Sequence, residues 1–360
     1  MDRAKIPRWL RRGIFSGWIS VTVVLAGGQD GKTAPYLSIR RPAKPAPAIK
    51  AGTQADTLKV LALRVAFEPD VNSSTTGTGE FLIDEEPLSC DGFPVDPPPH
   101  DAIYFRDQLL AVGNYFRLVS GGHVNFDTAG SRVHPAQNAP PIQVGSMADY
   151  STAPTQDSSD ALLVSLVDTA LSAAWNDGVD PTAYQLVIVF HAGLGQDFNY
   201  ETLDPTPQDI PSAYIDSAMI IAALGTTGIP LPDGSRYHGL IVLAPESQNH
   251  IYYNIADDLF WGADDYCDLQ TGLTGTLALH IGYSLGFPPL FDTESGGSGV
   301  GVFGLMDLGS NNGRGVIPAP PTAWTRTYLD WEKPVELSGA ESLAARHLDA
   351  GKIGRITLSR

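Results

Sequence analysis

The residues with the clearest potential for catalysis lie between Thr276 and Asp292, in the sequence TLALHIGYSLGFPPLFD. Within it, GYSLG matches the G-x-S-x-G pattern of serine hydrolases, in which a strained turn between a strand and a helix exposes the serine hydroxyl. Ser284 would then be the nucleophile. However, Pro289 follows closely and opposes the helix that this geometry requires after the serine. A serine hydrolase that uses Ser284 is therefore retained as an alternative.

The elements that must position this stretch follow from the apolar pattern of the chain. It predicts strands at Leu58–Phe67, His123–Phe126, Tyr184–Phe190 and Gly239–Ala244, and helices at Tyr104–Leu118, Asp157–Trp175, Thr274–Leu285 and Pro321–Leu329. A long loop-rich insert separates the third and fourth strands. Alternating strands and helices fit a doubly wound sheet or an α+β protease domain, and the chain order alone leaves both open.

Several segments, taken in order, resemble the immune-inhibitor-A-type zinc metallopeptidases, which are secreted bacterial enzymes of metzincin-like architecture. The strongest are LGFPPLFD (285–292) and GVGVFGLMD (299–307). Weaker ones are PPH (98–100), NYF (114–116), VSGG (119–122), VIVFHAGLGQD (187–197), AW (323–324) and YLDW (328–331). The resemblance extends over most of the chain, and it implies an α+β fold. We expect a twisted mixed sheet, a central former active-site helix and a methionine turn at Met306.

The zinc-binding motif of that family is degenerate in this sequence. The family helix carries H-E-x-x-H, because histidines four residues apart share one face and the glutamate acts as general base for zinc-bound water. Alignment on the glycine turn puts Leu279 and Tyr283 at the histidine positions, His280 at the glutamate and Pro289 at the third ligand. Moving the register by one residue puts Ser284 at the second histidine position and restores nothing. We therefore predict a pseudopeptidase without catalytic residues, and zinc only if replacement ligands exist.

Acidic residues suggest a different metal, since calcium prefers carboxylate oxygens. The calcium candidates are Asp257, Asp258, Asp264 and Asp265, together with Asp292 and Asp307 on either side of a glycine-rich loop. They lack the spacing of a helix-loop-helix calcium site, so a solvated acidic face is the alternative. Cys90 and Cys267 could form a disulfide in an exported protein, but the sequence does not show whether they meet.

The N-terminus has the pattern of an export signal. Five basic residues precede an apolar stretch from Gly13 to Ala26, which ends in a cleavage-like Val24-Leu25-Ala26. A non-cleaved anchor is the alternative. We predict a signal peptide at 1–26, a Pro/Ala-rich linker or pro-segment at 27–56, a metallopeptidase-like domain at 57–335 and the start of a C-terminal β segment at 336–360. The protein would be secreted or extracytoplasmic, with no membrane span after cleavage.

The charge balance limits the choice of partner. The 360-residue chain has 23 Lys and Arg against 40 Asp and Glu, a net charge of −17. This argues against binding of nucleic acid, which requires a basic surface. We expect a polypeptide or cell-surface partner, or a place in a larger secreted assembly, with no cofactor. The competing functions are an active secreted metalloendopeptidase with replacement ligands and the serine hydrolase.

Overall fold

The computed structural model describes residues 56–84, 94–336 and 353–355, except for 138, 152, 154, 198–205, 254–269 and 294–295. Several predicted features lie outside these residues: the signal peptide, almost all of the linker, both cysteines and the calcium candidates Asp257, Asp258, Asp264 and Asp265. Among the described residues, no helix is long and apolar enough to cross a membrane.

The core is a six-stranded mixed sheet with β4-β2-β6-β10-β7 as its strand order and β5 also paired with β2. The strands of the described chain are β1 Asp56–Leu58, β2 Val60–Ala66, β3 Val124–Phe126, β4 Arg132–His134, β5 Ile142–Gln143, β6 Leu186–Leu194, β7 Ala213–Tyr214, β8 Ile229–Pro230, β9 Arg236–Tyr237, β10 Leu240–Ser247, β11 Val335–Glu336 and β12 Gly354–Arg355. Strand β7 alone runs antiparallel in this sheet. The fold is therefore mixed α/β, compatible with the predicted α+β class.

The three central strands are buried along almost their whole length. Every residue of β2 (VLALRVA) and β6 (LVIVFHAGL) is buried, and β10 is buried after its first residue. Continuous apolar runs of this kind are typical of parallel strands covered on both faces, where no polar face alternates with an apolar one. Polar groups are confined largely to the carboxyl ends of these strands, and they lie close to the candidate site.

Helices cover the sheet in two packed pairs. The described helices are α1 Ala102–Val119, α2 Gln156–Asn176, α3 Ser217–Leu224, α4 Thr274–Ser284 and α5 Ala323–Tyr328. Helix α1 packs against α4, and α2 packs against α3. The connection through α1 runs from β2 to β4, and the connection through α2 runs in the opposite direction, from β5 to β6, so right-handed crossovers place these helices on opposite faces of the sheet.

The segment predicted as a loop-rich insert contains short regular elements that were not predicted from the sequence. It holds β7, helix α3 and the β8–β9 hairpin. Helix α3 begins after Asp216, whose side chain accepts a hydrogen bond from the Met219 N–H, and it ends at Gly225, which has a φ of 68°. These are ordinary start and stop signals. Its eight residues, SAMIIAAL, are too short and too uniformly small or apolar to show a helical period.

Candidate functional site at the end of helix α4

Helix α4 ends in a tight left-handed turn. Gly286 has a φ of 87°, which favours glycine because a side chain would be strained there. Its N–H donates to the Tyr283 carbonyl at 2.9 Å, and the Phe287 N–H donates to the Gly282 carbonyl at 2.9 Å. This pair of hydrogen bonds is a Schellman motif. It turns the chain away from the helix axis toward Pro288 and beyond.

Met306 lies directly beneath the end of α4. Its side chain is fully buried, and a Cβ added at Gly282 would lie 3.0 Å from its Sδ. The Leu290 N–H donates to the Met306 carbonyl at 3.0 Å, which ties the chain after the turn to the segment around Met306. Helix, turn and methionine therefore form one packed unit.

The positions aligned with zinc ligands are filled by packed side chains. Leu279, His280 and Tyr283 are buried, and Pro289 is partly buried. The Tyr283 ring stacks on Tyr214 of strand β7, with centroids 5.7 Å apart and planes at 23°. The His280 ring meets Tyr283 edge-on at 6.0 Å. Helix α4 thus contacts the edge strand through an aromatic pair.

The electrostatics of His280 are those of a core residue. Its Nδ1 is buried and has no hydrogen-bond partner among the residues that the structure describes. Burial disfavours the charged imidazolium and lowers the pKa of His280 to about 3. The Tyr283 hydroxyl is also buried without a partner, and burial, followed by the charges of Tyr214 and Asp307, raises its pKa. Both side chains are therefore neutral at physiological pH.

These residues do not fit a catalytic zinc ion. Leu279 and Pro289 offer no side-chain ligand atom, and a catalytic site needs three protein ligands with an open position for water. Among the residues that the structure describes, no group of three His, Cys, Asp or Glu could hold a metal ion. His280 is therefore not part of such a group in this part of the chain.

Ser284 does not have the geometry of a nucleophile elbow. It is the last residue of helix α4, and its buried hydroxyl donates to the Ile281 carbonyl at 2.8 Å. An elbow needs a strand before the serine and a helix after it. Here the helix comes before, and the described residues from Phe287 to Thr293 form no helix. The serine alternative therefore lacks its structural context.

Asp307 anchors the glycine-rich loop. Its Oδ2 accepts hydrogen bonds from the Ser298 hydroxyl at 2.9 Å and from the N–H groups of Gly299, Val300 and Gly301 at 2.7–2.9 Å. These donors present positive charge to the carboxylate, so they occupy the place that a calcium ion would take. Asp292, the other described calcium candidate, is exposed, and its backbone closes a turn with Gly296 and Gly297.

A second buried polar cluster surrounds Glu246 at the carboxyl end of β10. Its Oε2 lies 2.8 Å from His100 Nδ1 and accepts from the Leu82 N–H at 3.0 Å, while its Oε1 accepts from the Gly193 N–H at 2.8 Å. His100 Nε2 lies 3.0 Å from the Asp96 carbonyl oxygen. One carboxylate thereby joins two loops and the carboxyl end of strand β6.

The cluster also shifts the pKa values of its members. Burial alone would lower the pKa of His100, but the hydrogen bond and charge of Glu246, with help from Asp96, raise it. Burial raises the pKa of the Asp96 carboxyl, partly offset by hydrogen bonds from Leu273 and Gln108. The sequence analysis did not identify Glu246. The available signal was its place directly after a buried parallel strand, where functional and structural polar groups collect.

His191 is a further buried histidine, near the end of β6. Its Nδ1 lies 2.9 Å from the Ala192 carbonyl oxygen, and burial lowers its pKa to about 4. Nothing in this geometry points to catalysis by His191.

No protein-family model matches the chain, and a comparison with curated proteins finds no similar sequence.

Proposed function

We propose that this protein is an exported, metallopeptidase-like polypeptide-binding protein that has lost zinc chemistry. The observation that carries the proposal is the content of the helix α4 site. Leucine, histidine, tyrosine and proline stand where a zinc peptidase has its ligands and base, and Tyr283 is packed on Tyr214. The space is filled by side chains that hold the fold together.

Three features support the metzincin-like part of this proposal. The sheet has parallel strands and one antiparallel edge strand, β7, and α4 contacts that strand. A glycine with positive φ, Gly286, turns the chain after the helix. Met306 packs under the helix end. The glycine turn and the methionine turn are parts of the site in the resembled family, and they are independent of the lost ligands.

The loss of catalysis follows from the chemistry of the residues. A zinc-activated water needs three ligands for the metal and a base for its proton. Here His280 occupies the position of the base, and its buried imidazole has a pKa of about 3. A group with so low a pKa is a poor proton acceptor, because general bases work best with pKa values near the working pH. The site therefore lacks both metal ligation and proton transfer.

Polypeptide binding is the function that remains for this fold without zinc. Strand β7 is the last strand in the sheet order, and peptides commonly bind by adding a strand at the edge of a sheet. Its position beside α4 places an added peptide next to the Tyr214–Tyr283 pair. The rings of that pair are buried, so backbone groups of β7 would supply the contacts to the peptide.

The test uses the purified protein and a set of fluorescent extended peptides that carry a photoreactive group. We expect polarisation to show saturable binding, mass spectrometry to recover the peptides intact, and cross-links to fall within residues 212–216 and 279–290. Intact peptides that never bind would contradict the proposal. So would cross-links that fall only on other parts of the chain.

The same assay separates the competing functions. Cleavage that is abolished by a metal chelator would support the active metalloendopeptidase. Labelling by a fluorophosphonate probe that is lost in Ser284→Ala would support the serine hydrolase. We expect neither cleavage nor labelling. The Ser284 hydroxyl donates a hydrogen bond to the Ile281 carbonyl.

The proposed export has its own test. Expression of the full chain in a secreting host should give a mature protein outside the cytoplasm, with an N-terminus at about residue 27. An intact N-terminus in a cytoplasmic product would contradict export.

A further inference from the structure

Exposed apolar side chains are concentrated near the end of the described chain. Phe303 is 83% exposed, Ile317 72% and Trp324 55%. Val302, Val316 and Tyr328 are also large, apolar or aromatic, and exposed. We refer to these six residues as the C-terminal apolar patch. Scattered single apolar residues are normal on a protein surface, whereas a concentration within 27 residues of sequence calls for a partner.

The three segments that carry the patch lie side by side. Asn312 joins the first two, because its Nδ2 donates to the Val302 carbonyl at 2.9 Å and its own carbonyl accepts from the Ile317 N–H at 3.2 Å. The first and third segments also touch, since a Cβ on Gly304 would lie 2.7 Å from Thr322 Cγ2. On the third segment, Trp324 and Tyr328 stack with centroids 5.3 Å apart. The exposed residues therefore belong to one region of the surface.

This region lacks the acidic charge of the rest of the protein. Between residues 296 and 328 the only acidic residue is Asp307, which is fully buried and hydrogen-bonded. The same stretch contains two basic residues, Arg314 and Arg326. The centre of a protein–protein interface is typically rich in aromatic residues and arginine and poor in acidic residues. In a chain with a net charge of −17, it marks this region as distinct.

We propose that the C-terminal apolar patch is the interface through which two copies of this chain associate. The exposed parts of its six side chains amount to roughly 600 Å² per copy, so an isologous contact would bury about 1,200 Å², the lower limit of specific interfaces. Such a contact repeats the same patch on both copies. It brings together the acid-poor stretches 296–328 of the two copies, in which Arg326 is paired with Glu332 just beyond the stretch at 3.0 Å. An anionic lipid surface, in contrast, would repel the whole acidic protein.

The experiment measures the mass of the full chain in solution by sedimentation equilibrium over a range of micromolar concentrations. We expect twice the chain mass of 38.4 kDa for the unaltered protein. Phe303→Asp and Ile317→Asp should each raise the dissociation constant by about 30-fold or more, as removal of an interface hot spot does. Both side chains are exposed, so circular dichroism should show an unchanged fold.

Ile221→Asp is the matched control, because Ile221 is 49% exposed on helix α3, which packs against α2 and carries no residue of the patch. It should leave the dimer intact. A protein that stays monomeric at the highest concentration would overturn the proposal. Association that persists in both patch variants would also overturn it. Dimers formed through the apolar stretch 13–26 would give that result. A monomer that sediments with phosphatidylcholine vesicles, and stops doing so in Phe303→Asp, would assign the patch to lipid instead.

Discussion

Glu246 is fully buried at the carboxyl end of β10 and accepts hydrogen bonds from three separate segments, represented by Leu82, His100 and Gly193. In Glu246→Gln, one amide group cannot replace two carboxylate oxygens, and His100 loses its charged partner. We expect the free energy of unfolding to fall by about 3–5 kcal/mol, the usual cost of removing one member of a buried pair. Chemical denaturation at neutral pH measures this loss.

The control for that experiment is Asp107→Asn. Asp107 forms a salt bridge with Arg106, but both side chains are more than half exposed. Exposed pairs contribute less than about 1 kcal/mol, so this variant should unfold almost as the unaltered protein does. Equal losses in the two variants would show that burial of Glu246 has no special energetic consequence.

His280 should make the protein sensitive to acid. Its pKa is about 3 in the folded protein, against about 6.5 in an unfolded chain. The unfolded chain therefore takes up the proton first, so the stability contributed by neutral His280 is present above pH 6.5 and is lost as the pH falls toward 3. The free energy of unfolding falls as the pH is lowered through this range. In His280→Leu, the slope of this fall should be smaller than in the unaltered protein by about 1.4 kcal/mol per pH unit. Urea denaturation at several pH values measures the slope.

His191 is the internal comparison, because burial lowers its pKa to about 4 and it remains in the variant. Part of the acid sensitivity should therefore survive in His280→Leu. An unchanged slope would mean that His280 is solvated or charged in the folded protein, contrary to its buried Nδ1.

At the scale of elements, helix α4 is held against the chain around Ser310 and Gly315. A Cβ on Gly275, in the first turn of α4, would overlap the Ser310 carbonyl oxygen and lie 3.1 Å from the Gly315 carbonyl oxygen. Both are backbone atoms and cannot move aside as a side chain does. Gly275→Ala should therefore lower the free energy of unfolding by about 3 kcal/mol, although alanine is the better helix former. Thermal unfolding monitored by circular dichroism measures the change.

Thr276→Ala is the neighbouring control, since Thr276 is only partly buried. It should change stability by less than about 1 kcal/mol. A Gly275→Ala protein that is as stable as this control would show that α4 is not packed closely against Ser310.

Elements with a clear apolar period could be predicted from the sequence. Helices α1, α2 and α4 and the buried strands β2, β6 and β10 are found within a few residues of their predicted bounds, except that β6 continues to Leu194. Helix α3 and the two-residue strand β7 were not predicted. Such short elements depend on tertiary contacts: β7 exists only because Ala213 and Tyr214 pair with β10.

The candidate site was predictable only where its residues are close in sequence. The positions of Leu279, His280 and Tyr283 on one helix follow from the alignment with the glycine turn. The partnership of His100 and Glu246 does not, because 146 positions separate them and their contact requires β10 and the start of α1 to meet. A single sequence contains no signal for a pair of that kind.

The acidic charge and the fold are both compatible with a protein that binds another polypeptide. An acidic chain built on a mixed, largely parallel sheet has a filled site beside an edge strand and an apolar region near its described end. We propose that the edge strand beside this site and the apolar region each bind another polypeptide chain. The central claim is that the site at helix α4 holds no catalytic zinc.

The most direct test of that claim is the zinc content of the purified full chain after exposure to zinc and removal of the excess, measured by mass spectrometry of the metal. Leu279→Ala and His280→Ala proteins are measured alongside. We predict no stoichiometric zinc that depends on His280. One tightly bound zinc per chain, retained in Leu279→Ala and lost in His280→Ala, would contradict the account.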